Sequence, residues 1–168
     1  MIKRTMSQIM MQPRLLLAAH EHNRLSDLAE ASLAQDPSED AQLLLDEVTR
    51  ADTLPADAMP SRVVAMHSYV EYRDERTGTI RRVQLVYPHQ AKISEGRISV
   101  LSLVGAALIG LAEGDAITCL TRDRGERRFT VLRVSATPFA EKHRTEPGRT
   151  GHPRSRRRRV PSAAAAPI

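Results

Sequence analysis

The chain has 168 residues, of which 41% are hydrophobic, a length and composition that suit one or two small domains with a modest core. Aromatic residues make up only 3% and tryptophan is absent, which leaves few flat side chains for stacking on single-stranded bases. The single cysteine, Cys119, excludes an intramolecular disulfide and a multi-cysteine zinc site, and we expect it to pack inside a strand.

The net charge of +5 is concentrated at one end of the chain. Residues 139–168 contain eight lysines and arginines and two acids, so they carry +6 while the rest of the chain carries −1. A near-neutral body argues against a nucleic-acid-binding fold and favours an appended segment for anionic partners. No apolar run approaches the roughly 20 residues of a membrane span and no signal-peptide core begins the chain, so we expect a cytoplasmic protein without a membrane partner.

Residues 1–52 predict a helical hairpin, which is a short coiled coil of two antiparallel helices. After an ambiguous lead-in, leucines and alanines recur at three- and four-residue spacing from His20 onward. Asp36, Pro37 and Glu39 predict the start of the second helix, as its N-cap, first and third positions. At about fifteen residues this helix is roughly 22 Å long and unstable alone, so its apolar stripe must pack on the first helix or on the following domain.

Residues 61–138 predict an antiparallel α+β domain that follows a linker with two prolines at residues 53–60. Short strands joined by tight turns around a single helix are typical of that fold class. Gly78 lies in the first of these turns, where a positive φ is needed. The predicted hairpins have their strands at 64–72 and 83–87, and at 116–121 and 128–134.

The most informative stretch is residues 96–115, because a strand, a helix start and a helix stop follow one another within it. Ile98 and Val100 alternate as in a half-buried strand, and Ser102 is placed to cap the helix that follows. Small residues at 105–107 let that helix lie close against a sheet. Two glycines then supply stop signals, Gly110 and Gly114.

This stretch resembles the C-terminal domain of the Gre family of bacterial transcript-cleavage elongation factors. Ile-Ser-Val, a small-residue helix and a Glu-Gly-Asp turn recur there in the same order. Three upstream blocks, at residues 59–68, 77–78 and 85–88, narrow the resemblance to the Gre-related regulators of nucleoside diphosphate kinase. The resemblance covers roughly residues 15–138. It implies an FKBP-like fold for the α+β domain, RNA polymerase as partner and an influence on nucleoside diphosphate kinase levels.

The resemblance also implies where the polymerase is bound. Gre C-terminal domains dock on the rim helices of the polymerase through a turn between a strand and a helix, which here contains Leu101, Ser102 and Leu103, with Gly105 in the helix. Ser102 is kept, whereas Leu103 stands where proline is usual and Leu101 where Gre factors often carry an acid. The alternative is that both leucines pack inward.

In Gre factors, paired carboxylates at the tip of a long coiled coil help to hold a second catalytic metal in the secondary channel of the polymerase. The predicted hairpin tip carries Asp36, Glu39 and Asp40. Acids in the first turn of a helix complement its dipole, and this rod is far shorter than in cleavage-competent Gre factors. We therefore expect capping residues, with no catalytic residue, metal or cofactor.

Zinc binding and prolyl isomerase activity are not expected of this chain. His20 and His22 point in nearly opposite directions on a helix, and no third zinc ligand lies nearby, so we expect a solvated turn. An FKBP-like fold raises prolyl isomerase activity only by analogy between folds. The aromatic residues available for its pocket are ones that strands would bury in the core: Tyr69, Tyr72, Tyr87, Phe129 and Phe139.

Residues 139–168 have prolines, a basic cluster and no apolar periodicity, so we expect disorder. The basic cluster would bind phosphates in a salt-sensitive and sequence-independent way. Its members are Arg154, Arg156, Arg157, Arg158 and Arg159. A solubilising tail is the alternative.

The sequence therefore predicts a monomeric, non-enzymatic transcription regulator. It would bind RNA polymerase near the secondary channel and act by occupancy, without transcript cleavage. The alternative function is an adaptor that binds nucleic acid or other polyanions through the arginine-rich tail.

Overall fold

A computed structural model describes residues 12–121 and 125–140 of the chain. Within them, α-helices form at Ala19–Gln35 (α1), Glu39–Arg50 (α2) and Leu103–Leu108 (α3). Short strands flank the first two helices, at Leu16–Ala18 (β1) and Asp52–Leu54 (β2). The other strands are Tyr69–Asp74 (β3), Thr79–Val86 (β4), Arg97–Ser99 (β5), Ala116–Leu120 (β6) and Glu126–Ser135 (β7). Short 3-10 turns lie at Ala56–Ala58, Pro88–Gln90 and Ile93–Glu95.

Helices α1 and α2, the helix pair, are joined by three residues and pack through their apolar stripes. Leu25 and Ala29 of α1 are buried in the same cluster as Leu44 and Val48 of α2. The 3.6-residue periodicity brings these positions to one face of each helix. Beside them, β1 and β2 pair in parallel, so the predicted linker at 53–60 begins inside a strand.

The predicted N-cap of the second helix is wrong. Asp36 ends α1 instead, because it has extended backbone and its N–H donates to the carbonyl of Ser32 at 2.9 Å. Ser38 is the N-cap of α2, since its Oγ accepts from the N–H of Ala41 at 3.1 Å. The helix therefore begins at Glu39, two residues after Pro37.

The second part of the chain forms a five-stranded sheet in the order β5-β4-β3-β7-β6. Three of its four pairings are antiparallel, as predicted, but β5 runs parallel to β4. The cause is the connection between them, because the two 3-10 turns at 88–90 and 93–95 carry the chain back before it pairs again. The fold is α+β with a mixed sheet, and the prediction of a wholly antiparallel sheet is wrong.

The predicted first strand begins later than its alternating pattern suggests. Val64 and Met66 are buried, but the strand starts at Tyr69 because His67 adopts a positive φ of 65°. A residue in that region interrupts extended backbone. The turn after β3 is as predicted, with Gly78 at a φ of 68°.

One continuous core joins the helix pair to the sheet. Its buried members come from both parts: Leu15, Leu17, Leu25, Leu44, Val48, Val64, Val70, Leu85, Leu108, Ile117, Phe129 and Val131. Helix α3 fits into it through Gly105, where an added Cβ would lie 2.1 Å from the carbonyl oxygen of Ser99. Cys119 is buried in β6, as predicted. In the described part of the chain, no helix has the length and apolar character needed to cross a membrane.

Candidate functional site

The turn between β5 and α3, where the sequence predicts docking and which is here called the docking turn (Leu101, Ser102 and Leu103), is held by hydrogen bonds of serine hydroxyl groups. The Oγ of Ser102 accepts from the N–H of Gly105 at 3.1 Å and donates to the carbonyl of Ser99 at 2.6 Å. The Oγ of Ser99 in turn accepts from the N–H of Leu101 at 3.0 Å. Ser102 is thus the N-cap of α3, as predicted, and its hydroxyl closes the turn from both sides.

The burial of the two leucines of the docking turn is intermediate between the two alternatives, exposed anchors and side chains that pack inward. Leu101 and Leu103 are each half-buried and pack against the edge of the core. Part of each side chain, together with Ser102, is accessible from outside. Gly105 is buried against the backbone of Ser99, so it supports the turn from within.

The predicted tip acids lie together at the connection of the helix pair. Asp36 and Glu39 are exposed and Asp40 is half-buried. Glu39 and Asp40 occupy the first turn of α2, where carboxylates complement the helix dipole. Across residues 12–121 and 125–140, no group of three or more His, Cys, Asp or Glu side chains is arranged to hold a metal ion.

The histidines and aromatic residues that the sequence singled out do not meet at one site. His20 is exposed and His22 half-buried, on successive faces of α1. Tyr72 and Phe129 are buried edge to face, with ring centroids 5.8 Å apart, and fill the core. Phe139 lies on the outside of the sheet near Arg82 and Arg133.

A second arrangement, which sequence reasoning missed, links α1 to the sheet. Glu21 is only 9% exposed, and its Oε1 accepts from the N–H of Met66 at 3.2 Å. Burial raises the pKa of the Glu21 carboxyl, although the hydrogen bond from Met66 opposes the shift. One turn further along α1, the guanidinium of Arg24 lies 5.0 Å from the ring centre of Tyr87. The available signal was an acid on the apolar face of α1, four residues before Leu25.

A shallow groove runs beside these contacts, between α1 and the 3-10 turn at 88–90. Its volume is about 420 Å³, and Tyr87 forms part of its wall with His89 stacked nearly parallel, 6.3 Å away. Burial also raises the pKa of the Tyr87 hydroxyl. The remaining lining residues are Arg24, Asp27, Leu28 and Pro88.

Comparison with known proteins identifies the family. Residues 59–136 match the family model described as "Transcription elongation factor, GreA/GreB, C-term". The regulator of nucleoside diphosphate kinase of Escherichia coli K12 is 37% identical over 109 residues, which are 64% of this chain and 79% of that protein. The chain belongs to the GreA/GreB family. The recognition made from the sequence is therefore confirmed.

Other members of the GreA/GreB family match over a longer part of the chain. The transcription elongation factor GreA of Rhizobium etli is 31% identical over 131 residues, which are 74% of this chain and 82% of that protein. A solved GreA/GreB elongation factor from Nitrosomonas europaea is similar in fold, with a TM-score of 0.57 and 32% identity. The match extends over 73% of this chain and 99% of the solved chain.

The GreA/GreB family model defines which part of the structure carries the match. It includes the docking turn, α3 and the whole five-stranded sheet. The helix pair and residues 137–168 lie outside it. The arginine-rich cluster at 154–159 also lies outside the residues that the structure describes.

Proposed function

We propose that the protein binds RNA polymerase and regulates transcription by occupying a site near the secondary channel. The observation that carries the proposal is the family match over residues 59–136 together with the rigid, partly accessible docking turn inside it. A turn fixed by hydrogen bonds presents its side chains with little entropy left to lose on binding. In this proposal Leu101 and Leu103 are the apolar anchors. Binding to RNA polymerase also implies that the protein is located in the cytoplasm.

The proposal includes the finer description of both parts. The sheet and α3 form an FKBP-like domain, and α1 and α2 form a short helical hairpin that projects from it as a coiled coil. Helices of 17 and 12 residues are about 26 and 18 Å long. In our proposal this rod is too short to carry its tip acids into the active centre, so the protein competes with cleavage factors without stimulating cleavage. It is not an enzyme and acts as a monomer.

A double variant of the docking turn, Leu101→Asp with Leu103→Asp, tests the proposal. If the leucines are anchors, polymerase affinity falls by about 2 kcal/mol or more, the scale of an interface hot spot. The matched control is Leu120→Asp, because Leu120 is 54% exposed on β6, away from the turn. Polymerase retention on the immobilised protein measures the effect, with circular dichroism to establish folding.

Unchanged binding by a folded double variant would show that the interface lies elsewhere on the protein.

A cleavage assay on stalled elongation complexes tests the second half of the proposal, the absence of transcript cleavage. We expect no stimulation by the parent protein. Metal-dependent cleavage that disappears in Asp36→Ala or Asp40→Ala would establish a cleavage factor instead.

Polyanion binding by the arginine-rich tail is the second candidate function. It is favoured by the charge of +6 on residues 139–168 against −1 on the rest of the chain. The two functions are compatible, because the tail lies outside the part that matches the family model.

A further inference from the structure

Beside the shared apolar core, polar and ring contacts also link α1 to the sheet domain. These contacts, here the joint, are made by Glu21, Arg24, Met66, His67 and Tyr87. Within residues 12–121 and 125–140, the bond from the N–H of Met66 to Glu21 is the one hydrogen bond by which a side chain of α1 reaches the sheet domain. Glu21 lies in the first turn of α1 and Arg24 about 4.5 Å further along its axis. In addition to the apolar packing of Leu25 and Ala29, the joint thus contacts the helix at two successive points on one face.

The buried carboxylate is costly at this position. Its Oε2 has no hydrogen-bond partner within the described residues, although it is shielded from water. An unsatisfied buried oxygen of a charged group destabilises a fold, and an apolar side chain would avoid that cost. A buried polar atom without a partner is uncommon in folded proteins.

The loop that Glu21 contacts is itself strained and firmly held. His67, next to Met66, has a φ of 65°. For a residue other than glycine, this left-handed conformation raises the free energy of the fold by about 1 kcal/mol or more. Its N–H donates to the carbonyl of Leu85 at 2.7 Å, and its Nε2 lies 2.9 Å from Oε1 of Gln90. The ring of His67 also meets Tyr87 edge to face, with centroids 5.7 Å apart. Both contact points of α1 therefore rest on one preorganised cluster.

Small movements at the joint are amplified at the far end of the helix pair. Fourteen residues separate Glu21 from Gln35, a distance of about 21 Å along the axis. A tilt of about 20° at the joint would displace Asp36 and Glu39 by roughly 7 Å. The angle of α1 decides which surface the helix pair presents beside the docking turn.

We propose that Glu21 is a positioning residue that fixes the angle between the helix pair and the sheet domain, and that this angle is required for docking on the polymerase. The inference rests on the proposed function, which supplies the partner. Glu21 itself does not touch the polymerase and acts through Met66 and the His67 loop.

The experiment measures the angle and the binding separately. Spin labels are attached at Asp36→Cys and Thr118→Cys in a Cys119→Ala background, and their distance distribution is recorded. Glu21→Leu removes the acceptor, whereas Glu21→Gln keeps a carbonyl oxygen for the N–H of Met66. The matched control is Glu30→Leu, because Glu30 is an exposed acid on the same helix.

We expect one narrow distance in the parent, in Glu21→Gln and in Glu30→Leu, and a broad distribution in Glu21→Leu. Polymerase affinity should fall about tenfold in Glu21→Leu and return in Glu21→Gln. Arg24→Ala provides a second variant if Glu21→Leu fails to fold, because Arg24 is exposed. It should broaden the distribution through loss of the contact with Tyr87.

A narrow distribution in folded Glu21→Leu, or in Arg24→Ala where that variant replaces it, would overturn the proposal. So would a broad distribution with unchanged affinity, because the angle would then be irrelevant to docking. A parent protein that does not bind polymerase would overturn the proposed function together with the docking role. In that case the distance measurement still decides whether the joint fixes the helix pair.

Discussion

Ser38 should stabilise the fold through its position as the N-cap of α2. Its hydroxyl satisfies the N–H of Ala41 at the start of α2. Ser38→Ala should lower the free energy of unfolding by about 1 kcal/mol, as expected for loss of an N-cap. Asp36→Ala should change it by much less, because Asp36 is an exposed residue that ends α1. Urea unfolding of the two variants measures the difference, and equal effects would contradict the assignment.

Asp74 is a buried acid whose protonation should affect the stability of the sheet. It is 5% exposed at the end of β3, and its Oδ2 accepts from Nη2 of Arg127 at 2.5 Å. Burial alone would raise the pKa of Asp74, but hydrogen bonds from Arg127 and from the N–H of Arg76 outweigh burial and hold the pKa below the usual range of an aspartate. The ionised carboxylate therefore stabilises the fold above the unfolded-state pKa, and this stability is lost as the pH falls through the folded-state pKa.

Asp74→Asn should accordingly lower the free energy of unfolding by about 2 kcal/mol at neutral pH, the value of a hydrogen bond to a charged partner. The difference from the parent should shrink at pH values below about 4. Unfolding by urea at several pH values measures it, with the exposed Asp57→Asn as control. A difference that is constant over pH would show that the charge of Asp74 is not involved.

Within single elements, the sequence predicts the features that depend on neighbouring residues in the chain. Ser102 caps α3, and Gly110 and Gly114 have positive φ values of 77° and 90°, because capping and left-handed backbone depend on neighbours in the chain. The parallel pairing of β4 with β5 and the burial of Glu21 depend on residues distant in sequence. The interrupted strand at His67 was missed for the same reason, since its backbone is set by contacts with Leu85 and Gln90.

The sequence and the structure lead to different expectations about whether the sheet domain folds without the helix pair. The predicted α+β domain contains all the hairpin strands and the small-residue helix, so the sequence predicts that residues 61–135 fold without residues 1–58. In the structure, Leu15, Leu25 and Leu44 belong to the same buried cluster as Val64 and Leu108. Removing residues 1–58 would expose the apolar surface that these side chains cover, at about 25 cal/mol for each Å².

We therefore expect a fragment of residues 59–140 to bind a hydrophobic dye and to lose the sharp thermal transition of the full chain. Calorimetry and dye fluorescence provide the measurement. A fragment with residues 12–58 supplied as a separate chain is the control, because reassembly should restore the transition if the shared core is the cause. A cooperative transition in the isolated fragment would establish the domain boundary at 53–60 that the sequence predicts.

At the scale of the whole molecule, the docking turn and the arginine-rich segment belong to different parts of the chain. The last described residues return over the outer face of the sheet, where Phe139 lies near two arginines. Its ring centre is 5.6 Å from the guanidinium of Arg82 and 5.1 Å from that of Arg133. Between them, Glu71 accepts from Nε of Arg82 at 2.6 Å, so the positive charge of that face is partly neutralised. The net charge that distinguishes this chain lies beyond residue 140.

Cutting the chain after Ala140 should therefore reduce affinity for DNA and RNA to background and leave polymerase binding unchanged. A full-length variant with the five arginines of the 154–159 cluster changed to serine is the matched control, because it keeps the length of the tail. Counterion release predicts that the logarithm of the parent's duplex-DNA affinity falls against the logarithm of salt concentration with a slope of about −4.5, if each of the five neutralises a phosphate. Filter binding at four salt concentrations measures the slope. Affinity that survives truncation, or that differs sharply between sequences at fixed salt, would assign nucleic-acid recognition to the folded body, because phosphate contacts carry no sequence information.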